Sequence, residues 1–231
     1  MQRKGTNMDY VLEINNMSFV KNRGLLRKKK LKLEDITMAL PYGYLCGIAG
    51  ENGAGKSTLL EAILDNDARY CGEIRVCGED LRMNHARLNQ KIAYISEERM
   101  FFNEKSAVEN ARILSVLYEE FHMDIFEQTL AKMEVAKTKK LCSMSRGEFM
   151  RFQLAFSMAQ KPALYLMDEV TAGMDPVFKR DFFRMLHEVI ADESASVVMI
   201  THIEEELTKQ MDYVGVMKEG HLISFRENDA L

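Results

Sequence analysis

An α/β fold is the class this sequence predicts, with an antiparallel β portion ahead of it and a helical portion set into it. Three observations predict it. A glycine-rich turn (50–55) separates a short apolar run from a helical stretch. Two continuous apolar runs, Ala163-Leu164-Tyr165-Leu166-Met167 and Ser196-Val197-Val198-Met199-Ile200, have the composition of central parallel strands covered on both faces. Between the turn and those runs, from about Lys105 to Ala136, the apolar residues switch to three- and four-residue spacing.

The elements follow in order. From Tyr10 to Leu40 short apolar–polar runs such as Val11-Leu12-Glu13-Ile14 and Ile36-Thr37-Met38-Ala39-Leu40 predict antiparallel strands. The basic stretch Lys21-Asn22-Arg23-Gly24-Leu25-Leu26-Arg27-Lys28-Lys29-Lys30 between them reads as a solvated hairpin loop, or as a contact with anionic lipid headgroups or an acidic partner face. Pro41-Tyr42-Gly43 turns the chain into a buried strand, Tyr44 to Ala49. A helix from Ser57 to Leu64 follows, then short strands at Gly72 to Gly78 and Lys91 to Ile95. Val108, Ala111, Ile113, Leu114, Leu117 and Tyr118, then Ile125, Phe126, Leu130 and Met133, give the helical lobe its period. A helix from Val177 to Ile190 links the two apolar strands. No internal repeat interrupts this order.

Composition bounds the function. The 231 residues suffice for one sizeable domain or two small lobes around one core. A hydrophobic fraction of 47% with 29% charged residues is that of an ordinary soluble globular chain, and the net charge of −4 gives no reason to expect a nucleic-acid partner. Cys46, Cys71, Cys77 and Cys142 form no C-x-x-C pair and read as reduced thiols of a cytosolic protein. The polar start, residues 1–7, lacks an apolar targeting core, and no apolar run approaches the ~20 residues that cross a bilayer. A membrane role would need another chain to supply the membrane part.

The chemistry starts at Gly50-Glu51-Asn52-Gly53-Ala54-Gly55-Lys56-Ser57-Thr58, which matches the phosphate-binding pattern G-x-x-x-x-G-K-[ST] between strand and helix. The glycines let successive N–H groups wrap an anion, and the helix N-terminus adds positive potential. Lys56 would reach the β- and γ-phosphates and Ser57 would offer its hydroxyl to Mg²⁺. Hydrolysis needs more: a held metal and a positioned water. Asp168 and Glu169 directly follow the strand Ala163 to Met167, at the edge where open α/β sheets bind ligands. Asp168 would hold Mg²⁺ through water, and Glu169 would polarise the attacking water. His202 closes the next strand, after Thr201, where its imidazole can bond the γ-phosphate and orient the water. His85, His122, His187 and His221 lie in helical or loop contexts and carry no expected role.

Together these motifs, in this order, resemble the ATP-binding cassette of an ABC transporter over nearly the whole chain. The resemblance implies a P-loop NTPase fold of ABC type: a mixed sheet core with an antiparallel β subdomain (9–96 and 160–231) and an inserted α-helical subdomain (97–159), one domain over 1–231. Leu141-Cys142-Ser143-Met144-Ser145-Arg146-Gly147-Glu148 falls where the family's L-S-G-G-Q signature lies, and its serine and second glycine agree. By resemblance, Ser145 and Gly147, at the start of a helix from Glu148 to Met158, grip the γ-phosphate bound to a second subunit. Thr171-Ala172-Gly173-Met174-Asp175-Pro176 resembles the D-loop, with Asp175 crossing the dimer interface. Tyr94-Ile95-Ser96-Glu97-Glu98-Arg99 matches the Q-loop, with Glu97 in place of glutamine as a further Mg²⁺ ligand and a pointer to export. Val170 replaces a common proline. The adenine platform is unassigned among Lys21, Phe19 and Tyr10. The resemblance implies ATP and Mg²⁺ as ligands. Its implied partners are a second ATP-binding subunit, identical or paralogous, and a transmembrane permease received by a groove near Glu97, Met100, Phe101 and Phe102. The subunit would sit peripherally on the inner face of the cell membrane. The alternative is a soluble ATPase of the same type without a membrane partner.

Overall fold

The alternating residues near the start of the chain pair as a long antiparallel hairpin, β1 (Tyr10–Asn22) against β2 (Lys30–Pro41), with Asn22 opposite Lys30. The structure, a computed structural model, describes residues 9–22, 30–65, 69–98 and 100–228. Most of the basic stretch between the two strands, the polar start, Arg99 and the side chain of Lys21 lie outside the described residues. The chain then runs through β3 (Leu45–Gly50), α1 (Lys56–Leu64), β4 (Tyr70–Val76), β5 (Glu79–Asp80), α2 (His85–Asn89) and β6 (Ile92–Ile95). The helices α3 (Ala107–Leu114), α4 (Met123–Lys132) and α5 (Arg146–Ala159) come next. The last part is β7 (Leu164–Asp168), α6 (Pro176–Ile190), β8 (Ser196–Ile200), α7 (Glu204–Lys209), β9 (Tyr213–Lys218) and β10 (His221–Glu227).

The strands form two sheets, in the orders β2-β1-β4-β5 and β10-β9-β3-β8-β7-β6. The first is antiparallel throughout. In the second, β3, β6, β7, β8 and β9 run parallel, and β10 is an antiparallel edge. The continuous apolar runs resolve into two faces because successive side chains of a strand point to opposite sides. Leu164, Leu166, Val198 and Ile200 join the core shared with α1 and the antiparallel sheet. Tyr165, Met167, Val197 and Met199 join the core shared with α4, α5 and α6.

The helical lobe is packed on aromatic rings. Phe101, Phe152 and Phe156 meet edge-on, with centroids 4.8 Å and 5.2 Å apart from Phe101. α3 begins with Ser106 as its cap: the Ser106 N–H donates to Glu109 Oε2 at 2.8 Å, and Glu109 N–H returns to Ser106 Oγ at 3.3 Å. The helical lobe expected from 105 to 136 holds two helices, the first ending at Leu114. A tight 3₁₀ turn, Ser115–Leu117, follows and leaves Leu117 in solvent. α6 starts one residue earlier than the periodicity suggests. Asp175 accepts from Val177 N–H and Phe178 N–H, and Pro176 takes the first helical position, where its missing N–H costs nothing. The strands β5, β9 and β10 and the helices α2 and α7 are additions to the elements read from sequence.

Candidate functional site

The turn from β3 to α1 takes its shape from glycines. Gly50 has φ +151°, and a Cβ there would lie 2.4 Å from the Met217 carbonyl oxygen. Gly55 has φ +107° and caps α1 without any side-chain bond, leaving the first-turn N–H groups of the helix to an anion. Gly53 leaves the loop tip open, Glu51, Asn52 and Ser57 are exposed, and Ala54, Lys56 and Thr58 are buried. Lys56 Nζ donates to the Gly50 carbonyl at 2.7 Å and the Glu51 carbonyl at 3.1 Å, so the ammonium lies across the loop it closes. Those carbonyls are weaker partners for it than a phosphate would be.

Asp168 ends β7, and β8 lies between that strand and β3. The carboxylate nevertheless hydrogen-bonds Ser57. Burial pushes the Asp168 carboxyl above its ordinary value, the neighbouring Glu169 charge adds to this, and Ser57 and Lys56 oppose it. A carboxylate destabilised by burial and bonded to the loop hydroxyl fits a divalent cation, whose charge would relieve it. Two oxygen ligands also suit Mg²⁺, which keeps waters and takes its other oxygens from phosphates. Glu169 follows with φ +50°, a left-handed backbone uncommon for a residue with a side chain, and its N–H donates to the Ile200 carbonyl at 3.1 Å. That turn brings Glu169 Oε1 within 3.9 Å of His202 Nδ1. Both side chains are open to solvent, so a water or a phosphate oxygen can approach the pair from outside. The structure thus brings together the phosphate loop, Asp168, Glu169 and His202.

Glu97 stands elsewhere. It is half exposed in the loop after β6 and forms an ion pair with Arg146, the first residue of α5. Gln153, further along α5, grips the same loop, donating to the Ser96 carbonyl at 2.7 Å. Ser145 caps α5: its N–H donates to Glu148 Oε2 at 2.8 Å and its Oγ accepts from Glu148 N–H at 3.2 Å. Lys139 Nζ holds the Glu148 carboxylate at 2.8 and 2.9 Å. Among the described residues nothing requires a glycine at 147, since an added Cβ would meet only Phe178 at an ordinary 3.9 Å. Asp175 faces its own helix as the cap of α6. Among the residues considered for the adenine platform, Phe19 is 7% exposed and packs in the core. Phe101 packs among the rings of α5, while Met100 and Phe102 remain 72% and 50% exposed beside a cleft of about 360 Å³ lined by Tyr94, Phe101, Tyr118 and Phe156.

Sequence reasoning passed over Arg146 as the partner of Glu97. It also passed over Thr171, Thr201, Lys179 and Glu206, which form a buried polar cluster behind Glu169 and His202. The only signal for that cluster is a threonine within two residues of each of the two functional residues.

Comparison with known proteins shows what this chain is similar to. A family model described as ABC transporter matches residues 33–172. YtrB of Bacillus subtilis (strain 168), an ABC transporter ATP-binding protein, is 26% identical over 199 residues, covering 86% of this chain and 68% of the relative. LptB of Escherichia coli (strain K12), a lipopolysaccharide export system ATP-binding protein, is 27% identical over 222 residues, covering 88% of each. Among solved structures, a dimeric ATP-binding cassette in a post-hydrolysis state with ADP and Pi superposes with a TM-score of 0.80 at 18% identity, covering 95% of this chain and 100% of that one.

Proposed function

This chain belongs to the ABC transporter family, as an ATP-binding and ATP-hydrolysing cassette, and we propose that it powers outward transport through a separate membrane-spanning subunit. The observation that carries the chemistry is the meeting, at one edge of a parallel sheet, of a phosphate loop with a half-buried carboxylate and an open carboxylate–imidazole pair. Gly50 to Thr58 bind the triphosphate, with Lys56 leaving the loop carbonyls for the β- and γ-phosphate oxygens. Ser57 and Asp168 hold Mg²⁺, which when bound neutralises phosphate charge. Glu169 polarises the attacking water, and His202 bonds the γ-phosphate and fixes that water's direction.

Each site is completed by a second copy, identical or paralogous. Its Ser145 hydroxyl and Gly147 N–H, at the open start of α5, contact the terminal phosphate. The glycine at 147, which nothing among the described residues requires, supports an approach from outside the protomer. ATP closes the pair and hydrolysis releases it. Met100 and Phe102 at the cleft beside the helical lobe support docking of an apolar segment from the membrane subunit at the inner face of the membrane. The glutamate at 97 supports the outward direction.

The test is specific ATPase activity against protein concentration. It falls on dilution in step with the dimer fraction measured by light scattering. Undiminished specific activity in the diluted monomer would refute the shared site. Replacement of Met100 and Phe102 by aspartate leaves soluble ATPase activity intact and abolishes recovery of the chain with membranes that contain its permease.

A further inference from the structure

Glu206 takes no part in the phosphate loop or in the pair assigned to hydrolysis, yet its side chain is 2% exposed at the third position of α7. One oxygen, Oε2, accepts from Thr171 Oγ1 at 2.8 Å and from Thr201 Oγ1 at 2.6 Å. Lys179 Nζ lies 2.8 Å from the other oxygen. An isolated buried carboxylate is costly; two hydroxyls and an ammonium make this one tolerable.

The placement of those threonines gives the carboxylate its meaning. Thr171 comes two residues after Glu169, and Thr201 directly precedes His202. The β7–β8 ladder ends at Asp168 opposite Ile200, with the Glu169 N–H as its last rung. Past that rung the two loops leave the ladder, and a single carboxylate oxygen bonds both. Glu169 also sits in a left-handed conformation, which persists only where the surroundings hold it. The turn bond from Ala172 N–H to the Glu169 carbonyl, at 3.2 Å, supplies part of that hold. The Thr171 bond to Glu206 supplies an anchor outside the turn. Lys179 stands on the first turns of α6, so the seat of the carboxylate is also tied to that helix.

We propose that Glu206 is a positioning residue for ATP hydrolysis: by gripping Thr171 and Thr201 through one oxygen, it sets the separation of Glu169 from His202. The inference rests on the assignment of those two residues to hydrolysis. It differs from a packing role in what it requires of the threonines, namely the hydroxyl and not the methyl.

The experiment compares Thr171→Val and Thr201→Val with Thr171→Ser and Thr201→Ser in the full chain, with Glu206→Gln alongside. Steady-state phosphate release gives kcat and KM, and thermal melting monitors folding. The valine variants lower kcat about tenfold with KM for ATP unchanged, because misplacement of the reacting geometry by a fraction of an ångström is enough for that. The serine variants keep most of the wild-type kcat. Adding Glu206→Gln to either valine variant lowers kcat no further than the worse single change, since all act through one oxygen. A packing role would give the opposite order, with valine harmless and serine damaging, and that order would overturn the proposal. Wild-type kcat in the valine variants would overturn it as well. If the valine variants do not fold, serine variants with much-reduced kcat count against it and serine variants with near-wild-type kcat count for it. Glu169→Gln separates the two levels. Full turnover in that variant overturns the assignment of the catalytic pair, whereas an inactive Glu169→Gln beside fully active valine variants overturns only the role of Glu206.

Discussion

Ser145 caps α5, and the proposed shared site gives it a second duty that substitution can separate. Its oxygen accepts the Glu148 N–H at 3.2 Å as the cap of α5, and in the proposed function its hydroxyl donates to a phosphate oxygen on a second copy. Ser145→Ala removes both. Loss of the cap costs about 1 kcal/mol, because the residue is exposed and water recovers part of the bond. Glu148 keeps its Lys139 partner, which limits the damage. For a chain of this size such a loss lowers Tm by roughly 2–4 °C. Ser145→Gly costs only a few tenths of a kcal/mol as a cap. Both changes remove the same donor to the developing phosphate charge, an effect of about a hundredfold in kcat. Ser145→Thr keeps cap and donor alike. The stability order in nucleotide-free melts is therefore Ser and Thr, then Gly, then Ala. The activity order is Ser and Thr well above Gly and Ala, which are equal. Phosphate release measured at a concentration where the wild type dimerises reads the second order. Should activity instead follow Tm through the series, with the glycine variant nearly as active as wild type, Ser145 is a helix cap and nothing more.

Other outcomes are equally specific. Lys56→Ala removes the charge that bridges Gly50 and Glu51 and weakens ATP binding at least about tenfold by titration of a fluorescent nucleotide; wild-type affinity would contradict the phosphate-loop assignment. Glu169→Gln keeps ATP binding, loses about a hundredfold or more in turnover, and accumulates a nucleotide-bound dimer on size exclusion. A monomer after incubation with ATP counts against the shared site. Glu148 offers a pH test. Its bonds from Lys139 first, then from the Ser145 N–H, hold its carboxyl below the ordinary 4.5. A lowered folded-state value means that its contribution to stability is complete above 4.5 and is lost as pH falls through the lower value. Wild type is thus more stable than Glu148→Gln at neutral pH, and the two Tm curves converge on acidification. A gap independent of pH would dismiss the ion pair as the source.

Legibility in the sequence followed the range of the forces involved. The phosphate loop could be read because its geometry is local: glycines that accept positive φ, a lysine and a hydroxyl at fixed offsets. The strands β7 and β8 could be read because both faces are buried, which leaves a continuous apolar run. The start of α6 was misplaced by one residue although its signals, Asp175 and Pro176, are local and present. β9 escaped because Gly215 interrupts its run. That glycine is set by a distant contact, since a Cβ there would lie 2.7 Å from Ile48 Cδ1. The three glutamates at 204–206 look like one solvated charge run, and only tertiary packing selects the third for burial. Met100, Phe101 and Phe102 pose the same difficulty: adjacent residues split between core and surface, and no local rule chooses which faces inward.

The pairing of Glu97 with Arg146 also lies beyond local rules, and it bears on what those residues do. Against the family's signature and Q-loop patterns, this chain places a carboxylate where glutamine is common and a guanidinium where glycine is common. Each change alone would alter the charge beside a bound triphosphate. Together they meet as an ion pair, so the local net charge stays as it would be with the neutral pair. The guanidinium also fills the space Gly173 leaves, since a Cβ at 173 would lie 3.0 Å from Arg146 Nη1. Arg146 thereby joins the start of α5 to the loop after β6 and the loop after β7. Both members are largely exposed, and such pairs add little stability. Their consequence is electrostatic and positional instead. While Arg146 pairs with Glu97 Oε1, Ser57 and Asp168 are the protein oxygens gathered beside the phosphate loop, so a role for Glu97 at the cation would fall to its other oxygen or need the pair to open.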